Sequence, residues 1–250
     1  MNTYDRLKVE IHPDRAAMGA AAARRASTVL RETIAAKGKA RVILASAPSQ
    51  DELLAGLTSA PGIDWSKVTI FHMDEYIGLP ERDAATFRNY QRQHVLSHVH
   101  PAEFHGMRGE DPDPIAESLR YSRLLEEALV DLVCMGIGEN GHIAFNDPPV
   151  ADFHDPSSVK VVALDDLCRQ QQVNDGCFPD FDSVPRQALT LTCPALMAGK
   201  ALVCVVPGPR KAAAIWSTLH APVSTECPAT ILRSHPDVVL YLDLASASLL

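Results

Sequence analysis

The chain has 250 residues, of which 46% are hydrophobic and 22% charged, a globular balance with ample material for a core. Its formal net charge is −8 and its Lys and Arg residues form no long block, which argues against nucleic acid as a partner. No stretch nears the ~20 apolar residues of a membrane span, and no signal-like apolar run opens the chain, so it is expected to bind no membrane and to be cytoplasmic.

Asp14 is placed to cap an alanine-rich helix ending near Lys37, with Gly38 as its stop. The apolar run 41–45 reads as the first strand, so that about 40 residues, mostly this one helix, precede the sheet. Ser49-Gln50-Asp51-Glu52 has the Ser-x-x-Glu form of a capping box, opening a helix through about Leu57. Residues 68–73 read as the next strand, 86–98 and 114–130 as helices, and 132–135 as a third strand entering a glycine-rich turn. Further apolar runs follow at 159–164, 188–192, 201–206 and 238–242, and Pro209 suits the first turn of a helix through Leu219. This alternation predicts an α/β chain with a doubly wound, mostly parallel sheet and helices on both faces, in one domain over 1–250. Residues 147–156, with three prolines, read as a mobile loop. The six cysteines form no Cys-x-x-Cys pair and read as reduced and structural.

In such a sheet ligands bind beyond the carboxyl ends of the strands, at the turns after Ala45, Met73, Met135 and Val206. Two of these turns concentrate polar groups. Phe71-His72-Met73-Asp74-Glu75-Tyr76 puts adjacent carboxylates at a strand mouth, and the turn 136–147 holds three glycines followed by His142 and Asp147. A histidine and an acid five residues apart can make an oriented acid/base pair, with Asp74 as a second carboxylate opposite. Such groups suit proton movements on a sugar: ring opening by a histidine, and enolisation by a carboxylate. Spacing alone leaves a solvated acidic turn as open as a catalytic one.

Four segments, in order, add to this. Phe71-His72-Met73-Asp74-Glu75-Tyr76-Ile77-Gly78-Leu79-Pro80 resembles the Asn-Met-Asp-Glu-Tyr segment of glucosamine-6-phosphate deaminases. The stretch 136–148 resembles that family's Gly-x-Gly-x-Asp-Gly-His-Ile-Ala-Phe-Asn-Glu-Pro signature. Gly208-Pro209-Arg210-Lys211-Ala212 is similar to its Gly-x-x-Lys-Ala turn, and 224–236 to its Ser-x-x-x-Pro-Ala-x-x-Leu-x-x-His-Pro stretch. The resemblance implies a Rossmann-like fold, self-association, no metal or organic cofactor, and a small sugar phosphate as ligand. The implied reaction turns glucosamine 6-phosphate, or galactosamine 6-phosphate, and water into the ketohexose 6-phosphate and ammonia. By position, Asp74 would move the proton between carbons 2 and 1, His142 would assist ring opening, and Asp147 would stand for the family's glutamate beside it. Lys211 would hold the phosphate.

The chain departs from the pattern in three places. Asn140 replaces the aspartate of the Asp-Gly-His turn; an amide orients an imidazole without stabilising its charge. Ala45-Ser46-Ala47-Pro48-Ser49 replaces a glycine-rich phosphate loop, leaving the hydroxyls of Ser46 and Ser49 beside Ala47. The arginine expected before an aromatic pair is absent at Gly176-Cys177-Phe178, and Arg169 is the nearest substitute. Glu75, Gly138 and Gly141 complete the expected substrate contacts. A 6-phosphogluconolactonase is the first alternative, although that family tends to Asp-Glu-Arg and Gly-His-Thr-Ala-Ser at the two turns. A non-catalytic sugar-phosphate sensor is the second. His94 and His98 lie four apart but lack a third ligand, so a solvated helix face is the better reading. His72 reads as a satisfied structural histidine at least as readily as a substrate contact, His235 as a packing or capping residue, and Trp65 and Trp216 as core or interface aromatics.

Overall fold

A computed structural model of the protein describes residues 2–250. Helix α1 (Arg15–Lys37) begins and ends where its chemistry requires. The Asp14 carboxylate accepts from the Ala17 N–H at 2.7 Å, and Gly38 closes the helix in the left-handed region (φ 78°) with its N–H on the Ile34 carbonyl. Two strands precede it, correcting the expectation that the sheet starts at residue 41. They are β1 (Asn2–Tyr4) and β2 (Leu7–His12), paired as an antiparallel hairpin at the sheet edge. Only Leu7 and Val9 of β2 are buried, too little apolar signal to announce a strand.

The main sheet adds β3 (Ala40–Leu44), β4 (Val68–His72), β6 (Glu103–His105), β7 (Leu132–Met135), β10 (Ala201–Val206) and β11 (Val238–Asp243). Its order is β1-β2-β11-β10-β7-β3-β4-β6, parallel throughout except for the first hairpin. Alternate residues of each strand feed opposite cores. Leu132, Cys134, Val203 and Val205 join Met18, Leu30, Leu53 and Leu57 from α1 and α2 (Asp51–Thr58) on one face. Val133, Met135, Leu202 and Cys204 join Tyr121, Ile215 and Leu219 from α4 (Pro114–Glu126) and α7 (Ala212–His220) on the other. Burial on both faces explains why these strands read as continuous apolar runs, and it makes the sheet doubly wound as expected.

The runs at 159–164 and 188–192 do not join that sheet. They are β8 (Val159–Ala163) and β9 (Gln187–Leu191), which pair antiparallel with each other and with β5 (Asp74–Tyr76) in a separate three-stranded sheet. The chain steps from one sheet to the other within three residues, β4 ending at His72 and β5 starting at Asp74, with the Met73 carbonyl accepting from Leu191 N–H at 2.8 Å. Behind this sheet Tyr76 packs against Phe87, Phe145 and Phe178 at centroid distances of 4.8, 5.5 and 5.2 Å. Each such buried ring is worth ~1.5–3 kcal/mol of transfer energy.

Other local expectations shift. The helix predicted over 86–98 is a short α3 (Phe87–Gln91) running into a π-turn at Arg92–Leu96. His94 and His98 therefore do not share an α-helical face: His94 stacks on Tyr90 at 4.0 Å and His98 is exposed. The Ser49–Glu52 capping box does not form; α2 starts at Asp51 without a side-chain cap, and Glu52 binds Arg15 instead. His72 is buried and accepts from the Met107 N–H at 2.8 Å, and His235 bridges the Gly199 carbonyl and the Asp237 N–H. Trp65 is in the core, whereas Trp216 is 48% exposed and stacks on His220. The 147–156 segment is tied down by Lys160, which holds the Val150 carbonyl and pairs with Asp155. No helix is long and apolar enough to cross a membrane.

Candidate active site

The turns after β3, β4, β7 and β10 converge on one cavity at the carboxyl edge of the main sheet. Ser46, Ala47, Ser49, Asp74, Gly138, His142 and Lys211 all line it. Each turn is held by specific contacts. Gln91 donates to the Ala45 carbonyl (3.1 Å) and the Ser46 hydroxyl (2.9 Å), and Tyr90 donates to the Ala47 carbonyl. The Gly208 N–H after β10 rests on the Asp243 carboxylate at 3.1 Å.

Asp74 is 7% exposed, and its carboxylate accepts no hydrogen bond from any described residue. Burial, with the adjacent Glu75 charge, pushes its carboxyl well above the ordinary range. Glu75 itself faces away from the cavity. It is fully buried and accepts the N–H groups of Tyr76, Phe87 and Arg88 at 2.9–3.0 Å, capping the start of α3. Burial raises it to about 7 against those bonds and the Arg88 charge. The expected substrate contact by Glu75 is thus corrected to a structural one.

On the facing turn, His142 Nδ1 lies 2.7 Å from Asn140 Oδ1 and 2.9 Å from Asp147 Oδ1. Two acceptors at Nδ1 place the proton there and leave Nε2 without a protein partner. Asn140 also accepts the His142 N–H and donates to Asp147 at 2.9 Å. The charge that Asn140 lacks therefore comes from Asp147, in direct contact with the ring. Burial opposes ionisation of Asp147, yet His142 and the Asn140 and Asp165 donors outweigh it and hold its carboxyl below the ordinary range. Neither Asn140 nor Asp147 lines the cavity; both stand behind the imidazole.

The local backbone explains the glycines. A Cβ at Gly138 would lie 2.1 Å from the imidazole, so any side chain there displaces His142. Gly141 has φ +83° and backs onto Cys227, which corrects its expected role as a substrate contact. Ala144 holds φ +49°, a strained value for a residue with a Cβ. Asn146 pins that turn by donating to the carbonyls of Ile143 (2.9 Å) and Leu191 (2.8 Å), the latter in β9.

Arg169 does not replace the absent arginine. It lies on α5 (Asp166–Asn174), 5% exposed, with its guanidinium on the carbonyls of Phe181 and Val184 and over the Phe181 ring at 3.9 Å. Lys211 is 6% exposed, with no acceptor for its ammonium among the described residues; burial lowers its pKa, and Asp175 and Glu139 offset part of that. Sequence reasoning passed over Gln50, Phe87, Gln171, Gln172 and Asp175, which also line the cavity. Cys168, Gln171, Gln172 and Asp175 stand at i, i+3, i+4 and i+7, a polar stripe that helix periodicity would have revealed. His142, Asp147 and Cys168 could offer three ligand atoms within 4.8 Å of one another. The first two are engaged with each other through the Nδ1–Oδ1 contact of 2.9 Å.

Residues 13–240 match the family model described as glucosamine-6-phosphate isomerases/6-phosphogluconolactonase. A glucosamine-6-phosphate deaminase of Exiguobacterium sp. (strain ATCC BAA-1283 / AT1b) is 34% identical over 228 residues, covering 91% of this chain and 87% of that one. One from Listeria monocytogenes serotype 4a is 34% identical over 207 residues, covering 83% and 86%. Among solved structures, a monomeric glucosamine-6-phosphate deaminase superposes with TM-score 0.89 at 29% identity, covering 97% of this chain and 100% of that one. A 6-phosphogluconolactonase from Shewanella baltica gives TM-score 0.78 at 18% identity over 97% and 100%, a likeness of fold.

Proposed function

Because the chain belongs to the glucosamine-6-phosphate isomerase/6-phosphogluconolactonase family, we propose that it deaminates and isomerises an aminosugar phosphate, glucosamine 6-phosphate or its galactosamine epimer. The observation that carries the reading is a pair of unlike groups on one cavity: a buried, undonated Asp74 carboxylate and a His142 whose free Nε2 faces the same space. A carboxylate with a raised pKa is a stronger base, suited to taking the proton from carbon 2 and returning it to carbon 1. Nε2 takes the anomeric hydroxyl proton and delivers one to the ring oxygen, while Asp147 stabilises the imidazolium formed in between. Loss of ammonia and addition of water then give the ketohexose 6-phosphate.

The test is direct. Purified protein is incubated separately with glucosamine 6-phosphate, galactosamine 6-phosphate and 6-phosphogluconolactone, following ammonia and ketose phosphate for the first two and lactone loss for the third. Ammonia release abolished by Asp74→Asn supports the proposal. Lactone loss alone transfers the chain to the lactonase reading, and binding without turnover points to a sensor.

A further inference from the structure

The cavity that holds Asp74 and His142 has a volume of about 70 Å³, room for a few waters rather than a whole sugar phosphate. A bound substrate must therefore extend into a neighbouring space. Two adjoin. One, about 560 Å³, is walled largely by apolar groups such as Leu79, Phe87, Tyr90 and Phe178. The other, about 260 Å³, shares Ser49, Asp175 and Lys211 with the cavity and adds Arg15 and Arg210.

We propose that Arg210, with Arg15 across the cleft, holds the anionic end of the substrate in this second space. The assignment rests on the aminosugar-phosphate reading and names the residues that take over from the missing arginine. Arg210 and Lys211 line the same space, so a phosphate seated there faces both cations. That guanidinium already occupies an acceptor cage: Nη2 donates to the Asp175 carboxylate (2.9 Å) and the Asn174 carbonyl (3.1 Å), and Nε lies 3.1 Å from Glu139. Gln171 braces the cage, accepting from the Glu139 N–H and donating to Asp175. The Arg210 side chain is 54% exposed and those of its two carboxylate partners 24% and 20%, so the ion pairs are partly solvated and exchange readily for a dianion. A planar guanidinium matches phosphate oxygens two at a time, which a lysine alone does not. Arg15 presents the second fork from the start of α1, paired with Glu52 and held on the Pro48 carbonyl of the loop that carries Ser49. The apolar space offers no comparable partner for a charged end.

The test compares full-length wild type with Arg210→Gln, Arg210→Lys and Arg15→Gln by calorimetric titration of inorganic phosphate and fructose 6-phosphate, beside steady-state kinetics on glucosamine 6-phosphate. Arg210→Gln is expected to weaken both ligands about tenfold or more and to raise KM in step, with kcat within about twofold. Arg210→Lys recovers part of the loss, and Arg92→Gln, which removes an exposed arginine paired with Glu81, changes nothing. Binding unchanged in Arg210→Gln would overturn the proposal while leaving the deaminase reading intact. Fructose 6-phosphate binding that depends on Arg210, without turnover of any aminosugar phosphate, would sink the deaminase reading and keep this one. A wild type that binds neither ligand overturns the proposal.

Discussion

Two aspartates, Asp74 lining the cavity and Asp147 behind the imidazole that lines it, are driven in opposite directions. Asp74, at the step between the two sheets, has no donor and a like charge beside it, and its carboxyl is pushed up. Asp147, behind the glycine-rich turn, is as deeply buried but accepts from Asn140 and meets His142, and its carboxyl is held down. Burial pushes both up, and the donors and the His142 partner that only Asp147 has decide which one is brought down. Such a split separates roles, the raised group fit to carry a proton and the lowered one to stay charged behind the histidine.

The largest expected effect is that of Asp74→Asn, which should lower kcat by about 10²–10⁴-fold in the ammonia-release assay. The same variant should be more stable than wild type at pH values high enough to ionise the folded Asp74, by about 0.5–2 kcal/mol in denaturant titration, because a buried carboxylate without donors destabilises the fold once charged. The sign follows from the raised folded-state pKa. Wild-type stability from this group is fully present below the unfolded carboxylate pKa and falls as pH rises through the folded one, a slope the asparagine variant lacks. An Asp74→Asn protein that is both active and no more stable would dissolve the contrast.

Next in size is Asp147→Asn. It removes a charged partner of His142 worth ~1.5–3 kcal/mol, or about 10–100-fold in kcat. The loss should come with little change in KM. If Asp147→Asn instead matched Asp74→Asn, the two carboxylates would not be doing different work.

The pH profile sharpens the same point. The acid limb of kcat/KM is expected above the ordinary carboxylate range, the rate falling as pH drops through the raised Asp74 value. Glu75→Gln removes the neighbouring charge and should move that limb to lower pH. It should also cost ~1–3 kcal/mol of stability, since its carboxylate caps three N–H groups of a buried turn. A limb that stays in place would leave burial as the whole cause of the Asp74 shift.

The smallest effect concerns the backbone. Ala144→Gly should relieve the φ +49° strain and change stability by well under about 1 kcal/mol, because glycine also loosens the unfolded chain. Ala144→Val should destabilise by about 1–3 kcal/mol in the same measurement.

Much of this was legible in the chain itself. Both-face apolar runs such as 201–206 and 132–135 specified parallel strands, and Asp14 and Gly38 bounded α1 through their own local chemistry. The four turns that converge on the cavity were picked out by the rule that ligands bind at strand carboxyl ends. Those features depend on contacts within a few residues or on a periodic pattern, which a sequence displays directly.

What the sequence left open depends on partners distant along the chain. Residues 159–164 and 188–192 read like any buried strand, and only pairing with Asp74–Tyr76 decided that they form a second sheet. Arg169 carries the right charge for an anion, but the Phe181 and Val184 carbonyls claim its guanidinium. Glu75 sits beside Asp74 in sequence, but the N–H groups of Phe87 and Arg88 turn its carboxylate away from the cavity. Residue type and spacing fixed which groups are near the site; the direction each one faces, and hence its pKa, was set by long-range packing that decides where donors and acceptors meet.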